Sequence, residues 1–202
     1  MCQVCYEAAV KEEDAADRAE RIARIKTLIP DRFRNASVDD FANQPHVHQL
    51  CSDWIAAPSD GLFIFGPVGP GKTHLASGVT IGLIMDGVYV EFINFTDALE
   101  QMRRDYKKQN FDIRDDNLNH YQICKVLCLD DLGSEKTSEW VEEKIFSIVN
   151  FRYDRRKPTI FTSNLSLGEI ENHYSDRRVS SRIAEMCRGR IIKLEGKDRR
   201  LG

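Results

Sequence analysis

The densest concentration of chemistry lies in eight residues, Gly66-Pro67-Val68-Gly69-Pro70-Gly71-Lys72-Thr73. Glycines remove the side chains that would keep backbone N–H groups from turning inward around an anion. The run fits the pattern G-x-x-x-x-G-K-[ST]. In that pattern the backbone cradles phosphates, the lysine ammonium reaches the outer two, and the hydroxyl binds Mg²⁺. His74-Leu75-Ala76-Ser77 opens a helical segment directly afterwards, so the positive end of a helix dipole faces the same anion. Gly66, Pro67, Val68, Gly69, Pro70, Gly71, Lys72, Thr73 and His74 are the candidate phosphate-binding residues. Lys72 is also a candidate catalytic group and Thr73 a candidate metal ligand.

A second element, Val126-Leu127-Cys128-Leu129-Asp130-Asp131, follows by about 60 residues. An apolar strand ending in two carboxylates delivers them to the carboxyl edge of a parallel sheet, where ligands bind. Asp130 is placed to hold Mg²⁺ through water. Asp131 is placed to orient and polarise an attacking water. The two elements together imply ATP and Mg²⁺ as substrate and ion.

These residues need a scaffold that brings distant strand ends together. Five short apolar runs read as buried strands: Leu62–Phe65, Val88–Ile93, Val126–Leu129, Thr159–Thr162 and Ile191–Leu194. Helical patterns over 73–85, 96–122 and 138–153 separate the first four. A basic helix over 176–187 precedes the last. Strands alternating with helices imply a parallel sheet covered on both faces. Upstream, residues 7–29 read as a polar helix stopped by Pro30. A linking stretch over 31–45 leads to a helix through Trp54 and Ile55.

The chain has 202 residues, 29 basic and 32 acidic side chains, and 42% hydrophobic residues. That is the composition of one ordinary folded domain rather than of a disordered chain. No apolar run approaches the ~20 residues of a membrane span, so no membrane partner is expected. Six cysteines are too sparse for a disulfide scaffold, which points to a cytoplasmic location. Cys2 and Cys5 form half of a zinc site without a nearby second pair, so no metal is expected there. Cys51, Cys124, Cys128 and Cys187 read as buried rather than reactive.

Three segments together, Gly66–Ala76, Leu129-Asp130-Asp131-Leu132-Gly133 and Thr162-Ser163-Asn164-Leu165-Ser166, resemble the helicase-loader ATPases of bacteria and phages. These are related to the insertion-sequence helper ATPases, and both belong to the initiator/loader branch of the AAA+ class. The similarity runs from about Ile29 to about Arg200. The continuation of the Asp pair into Gly133-Ser134-Glu135-Lys136 narrows the resemblance to this family. The phosphate motif alone indicates only a P-loop NTPase. The resemblance implies an α/β P-loop AAA+ core with a five-stranded parallel sheet flanked by helices and no C-terminal helical lid. It divides the chain into an N-terminal helical extension over 1–30, a possible docking element, and an ATPase domain over 31–202.

Further roles come with the resemblance. Asn164 matches the sensor of the γ-phosphate, and an amide there can hydrogen-bond both phosphate and water. Asn94 is placed either to touch Asp131 or to serve a turn. In the cluster Asp176–Ile183, Arg182 first and Arg178 second match the arginine that enters a neighbour's ATP site. Their four-residue spacing puts them on one helix face, and a guanidinium suits transition-state charge. Arg103, Arg104, Tyr106, Lys107 and Lys108 form a basic, aromatic-interleaved helix suited to single-stranded DNA. Phe33 and Phe41 either pack near adenine or belong to the core. The function implied is an ATPase that loads a replicative DNA helicase onto single-stranded DNA, self-assembles through its ATP sites and turns over weakly as a monomer. A transposition helper that delivers DNA to a transposase is the alternative. A P-loop kinase is disfavoured by the missing acceptor lid, and a non-catalytic DNA adaptor by the intact Lys72, Thr73, Asp130 and Asp131.

Overall fold

The computed structural model describes the backbone of residues 3–108 and 116–196, with side chains described over 14–104 and 117–196. Among the described residues five strands form one parallel sheet: β1 (Gly61–Phe65), β2 (Val90–Asn94), β3 (Val126–Leu132), β4 (Thr159–Ser163) and β5 (Ile191–Lys193). Their spatial order is β2-β3-β4-β1-β5. The helices are α1 (Gln3–Leu28), α2 (Pro45–Ala56), α3 (Lys72–Met85), α4 (Phe95–Lys108), α5 (Asp116–Ile123), α6 (Glu139–Asp154), α7 (Leu167–His173) and α8 (Arg178–Met186). None is long and apolar enough to cross a membrane.

Strand side chains alternate between the two faces, as a period of two requires. Leu62, Ile64, Val126, Cys128 and Ile160 join the core beneath α1, α2 and α3. Phe63, Leu127, Leu129 and Phe161 join the core beneath α4, α5, α6 and α8. The sheet is therefore the middle layer of three, and β1, β3 and β4 read as continuous apolar runs because both of their faces are covered, whereas the edge strand β5 buries only Ile192.

The sequence reading of one helix over 96–122 needs correction. Two helices occupy that span, and residues 109–115 between them lie outside the described residues. Tyr121 on α5 donates its hydroxyl proton to Gln101 Oε1 on α4 at 2.6 Å. In a continuous helix these positions would stand about 30 Å apart along the axis, so the chain must fold back. The 176–187 helix appears as α8, with α7 ahead of it.

Two close approaches hold the helical layers. The C-terminal turns of α1 lie on α3 and β2. Arg21 Nη1 donates to the Met85 carbonyl at 2.5 Å, and Arg24 Nη2 donates to that of Val90 at 2.6 Å. At Gly78 on α3 a Cβ atom would meet the Ser37 carbonyl carbon at 2.8 Å. Glycine thus lets the short 3-10 turn Val38–Phe41 lie against the helix, which brings Asp40 and Phe41 beside the start of α3.

On the opposite face, Arg152 of α6 is fully buried. Its guanidinium donates to Thr159 Oγ1 (2.8 Å) and to the carbonyls of Tyr121 (3.0 Å), Gln122 (3.2 Å), Cys124 (3.1 Å) and Pro158 (2.6 Å). One side chain thereby satisfies the C-terminal end of α5 and ties it to the entry of β4. Burial lowers its pKa to about 10, so it remains a cation at neutral pH. Replacing Arg152 by Ala removes all of these hydrogen bonds from a buried site, and the unfolding free energy in urea is expected to fall by about 3 kcal/mol or more. A loss below about 1 kcal/mol would contradict this account.

Candidate functional site

The strand order decides where the site forms. Because β4 lies between β1 and β3, the loop after β1, the Asp pair of β3 and the tip of β4 meet at one carboxyl edge. A cleft of about 540 Å³ opens there. Its lining includes Gly69, Gly71, Lys72, Thr73, His74, Asn94, Asp130, Asp131 and Asn164.

The phosphate-motif loop has the backbone that its glycines permit. Gly69 and Gly71 have φ of +108° and +106°, and Gly71 caps the start of α3. Gly66 has φ +146°, and a Cβ atom there would meet the Leu194 carbonyl oxygen at 2.2 Å. Only glycine therefore lets the loop leave β1 directly beside the residue that follows β5. Lys72 is nearly buried, and its ammonium donates to the Pro67 carbonyl at 2.6 Å. The ammonium thus stays curled over the loop that the motif shapes for an anion.

The Asp pair departs from the sequence reading in one respect. The strand does not end at the carboxylates but continues to Leu132 through a bulge. Leu129 pairs with Phe161 and Leu132 with Ser163, so two aspartates face one threonine, Thr162. Asp131 takes up the extra residue with φ +61°, a left-handed conformation uncommon outside glycine. Thr162 serves both neighbours. Its hydroxyl donates to Asp130 Oδ1 at 2.7 Å and accepts from the Asp131 N–H at 2.8 Å.

Asp130 is nearly buried. The Thr73 hydroxyl approaches its two oxygens at 3.0 and 3.2 Å. Burial raises the Asp130 pKa, while the hydroxyls of Thr162 and Thr73 act in the opposite direction. Thr73 and Asp130 form an oxygen-only donor set of hydroxyl and carboxylate, the chemistry that Mg²⁺ favours. Asn164, exposed at the tip of β4, donates its side-chain N–H to Asp131 Oδ1 at 3.0 Å. Asn94 takes the turn alternative: its side-chain oxygen accepts from the Thr96 N–H at 2.9 Å and caps α4.

His74 is held from the N-terminal side. Its Nε2 lies 2.6 Å from Asp40 Oδ2, and its ring sits near Phe33 and Phe41, with centroids at 6.2 and 6.1 Å. The two phenylalanines divide. Phe33 lines the cleft with Arg32, whereas Phe41 is fully buried in the core.

The basic candidates lie elsewhere. Arg178 and Arg182 share a face of α8, as their spacing requires, and both lie over the Phe146 ring at 4.2 and 4.8 Å. Neither lines the cleft. Arg178 is clamped by both carboxylate oxygens of Asp176 at 2.7–3.0 Å. Arg182 Nη1 is buried without a hydrogen-bond acceptor. On α4, Arg103 lies over Trp140 at 4.9 Å and Arg104 pairs with Glu100 at 3.3 Å. The side chains of Tyr106, Lys107 and Lys108 lie outside the described residues, as do those of Cys2 and Cys5. Cys51, Cys124, Cys128 and Cys187 are buried, and burial raises all four thiols, Cys51 to about 12.

Sequence reasoning missed Thr162 as a positioning group and missed the bulge that it stabilises. In the sequence Thr162 reads only as the end of the fourth apolar run and the start of the Thr162–Ser166 segment. A threonine opposite an Asp pair carries no local signal, because its partners lie on another strand.

The chain is similar to known proteins over most of its length. The family model described as IstB-like ATP binding protein matches residues 6–201. The replicative helicase loader DnaI of Bacillus subtilis is 26% identical over 152 residues, covering 69% of this chain and 47% of DnaI. An insertion-sequence ATP-binding protein of Geobacillus stearothermophilus is 30% identical over 170 residues, covering 80% of this chain and 66% of that one. The crystal structure of the DnaC helicase loader superposes with a TM-score of 0.67 at 26% identity, over 83% of this chain and 100% of that one. The chain spans about half the length of DnaI.

The raised Asp130 pKa has a consequence for stability. Above its folded-state pKa the protein must bury a charge that the unfolded chain leaves in water, so this group opposes folding at neutral pH. Below the unfolded pKa both states are protonated and the cost vanishes. Asp130→Asn is therefore expected to unfold at a higher temperature than the parent at pH 7. The advantage should shrink as pH falls through the raised pKa into the ordinary carboxylate range. Equal melting temperatures at pH 7, or an advantage that grows with acidity, would refute the assignment.

Proposed function

The chain belongs to the IstB-like ATP-binding family, and from that premise we propose that it is an ATP-hydrolysing AAA+ protein whose nucleotide state controls self-assembly and the grip on single-stranded DNA and a replicative DNA helicase. The observation that carries the reading is the convergence of Lys72, Thr73, Asp130, Asp131 and Asn164 on one cleft. The insertion-sequence relative favours a second reading, a transposition helper that delivers DNA to a transposase.

In this mechanism the backbone N–H groups of Gly66 to His74 and the N-terminus of α3 hold the ATP phosphates. Lys72 leaves the Pro67 carbonyl to pair with the outer two. Thr73 and Asp130 would hold Mg²⁺, which supplies neutralising charge to the phosphates when bound. Asp131 orients the attacking water and takes up its proton. Asn164 fixes the Asp131 carboxylate and senses the γ-phosphate. Phe33 offers an apolar wall to the adenine.

Since the cleft lacks an arginine from α8, a neighbouring subunit supplies it, Arg182 first and Arg178 second. Arg178 must then exchange Asp176 for phosphate. The α4 residues Arg103, Arg104, Tyr106, Lys107 and Lys108 face the DNA, with phosphate neutralisation as the main term. The compartment is the cytoplasm. The α1 segment over 1–30 is the docking candidate, and residues 31–202 are the ATPase domain.

Losing the charge-assisted contact of Lys72 should weaken ATP binding roughly ten- to hundred-fold in Lys72→Ala. The parent should bind helicase and single-stranded DNA differently with ATP and with ADP, and Lys72→Ala should lose that difference. Nucleotide-independent binding to both partners would defeat the switch. Selective capture of a transposase would favour the second reading. Turnover should rise steeply with protein concentration and vanish in Arg182→Ala. Replacing Arg103, Lys107 and Lys108 with Glu should abolish DNA binding, which should otherwise weaken with salt.

A further inference from the structure

One buried carboxylate has no part in the mechanism above. Glu135 lies four residues beyond Asp131, and its side chain is 3% exposed. One oxygen, Oε2, accepts the Gly133 N–H at 2.9 Å. The other, Oε1, accepts the hydroxyl of Tyr174, which is itself 1% exposed. Burial and the adjacent carboxylate push the Tyr174 phenol well above its ordinary pKa, so the hydroxyl is a permanent donor.

The two ends of this contact belong to different functional segments. Gly133 sits in the turn that Asp131 begins. Ser134 closes that turn, donating its N–H at 3.3 Å and its hydroxyl at 2.8 Å to the Asp131 carbonyl. Tyr174 caps α7 and opens the link to α8. Ser175, next in the link, donates its N–H to Glu142 on α6 at 3.2 Å. Asp176 then accepts the Arg178 N–H at 3.0 Å and clamps the Arg178 guanidinium. A chain of direct bonds thus runs from the Asp131 turn, through Glu135 and Tyr174, to the base of the arginine face of α8.

The carboxylate also has an alternative partner. His173 Nε2 is buried, has no hydrogen-bond partner and lies 3.5 Å from Glu135 Oε1. In the tautomer with its proton on Nε2, His173 can donate to Glu135 Oε1, the oxygen that Tyr174 now holds. A second donor within reach of the same buried oxygen is what an exchange of partners at a coupling element requires.

We infer that Glu135 is a positioning residue that couples the Asp131 turn at the ATP site to the placement of the α7–α8 link and the arginines of α8. The inference rests on the proposal that the cleft binds ATP. It extends that proposal by giving each subunit a route from its own nucleotide to the arginines it would offer a neighbour.

Amide hydrogen exchange on the full chain, with and without AMPPCP and Mg²⁺, tests it. Nucleotide binding is measured separately by calorimetry. In the parent, AMPPCP should change exchange over residues 174–179 by about threefold or more. Tyr174→Phe removes only the hydroxyl, and it should keep AMPPCP affinity within about twofold while losing that response. Glu135→Gln keeps an acceptor for Gly133 and should show a reduced response. Tyr121→Phe deletes a matched buried hydroxyl, the one that donates to Gln101, and should respond as the parent does. A parent that binds AMPPCP without any change over 174–179 overturns the inference alone. So does a Tyr174→Phe protein with the full response, or a Tyr121→Phe protein that loses it. A parent that fails to bind AMPPCP defeats the phosphate-site reading and takes the inference with it.

Discussion

The Thr162 hydroxyl is the interaction on which the rest of the cleft depends. It stands opposite two aspartates where the β3–β4 ladder gains one residue, and it bonds to both. Without it the Asp131 N–H would face a strand with no acceptor in register, and Asp130 would be buried beside fewer donors. Unmade hydrogen bonds of this kind cost more than made ones return. The bulge therefore exists because a single small side chain can both donate and accept. Ser163 reinforces the arrangement one residue later, donating its hydroxyl to the Leu132 carbonyl at 2.5 Å and accepting from the Leu165 N–H at 3.0 Å.

From that point outward, strand order does the positioning. Placing β4 between β1 and β3 puts the phosphate-motif loop on one side of the Thr162–Asn164 tip and the Asp pair on the other. The Thr73 hydroxyl reaches Asp130 and the Asn164 amide reaches Asp131, so the tip and the first turn of α3 both brace the carboxylates. The N-terminal segment closes a further side through Asp40, Phe33 and the His74 ring. The cleft is thus a product of the whole sheet edge rather than of one motif. This is why Lys72, Thr73, Asp130, Asp131 and Asn164, spread over more than 90 residues of sequence, line one cleft.

What could be read in advance followed from the distance over which each signal acts. The Gly66–Thr73 loop is a contiguous requirement: its glycine φ values, the Gly71 cap and the lysine are all local, and the structure has them where the pattern put them. The apolar runs of β1, β3 and β4 were also legible, because burial on both faces leaves a continuous apolar signature. Strand order, the bulge at Asp131 and the buried Arg152 were not legible. Each is settled by partners far away in the chain, such as Thr162 for Asp130 and Asp131, or the Tyr121 and Pro158 carbonyls for Arg152. The helical pattern over 96–122 misled for the same reason, since a Gln101–Tyr121 contact leaves no periodic mark. Asn94 shows the converse: its side chain accepts the Thr96 N–H two residues on, a local bond of the kind that strand-end asparagines make in turns.

The left-handed backbone of Asp131 limits what this position can accommodate. Asparagine and aspartate tolerate that region because their short polar side chains can bond locally, whereas longer residues pay a steric penalty there. Glutamate would extend the carboxylate by one methylene toward the cleft, but on a backbone it occupies poorly and past the Asn164 amide that now meets Asp131. A change that a substitution table scores as mild is therefore a double displacement here, of main chain and of charge. Asparagine, which removes the charge, fits the backbone without strain. Sequence tolerance at this position is set first by φ and only then by chemistry.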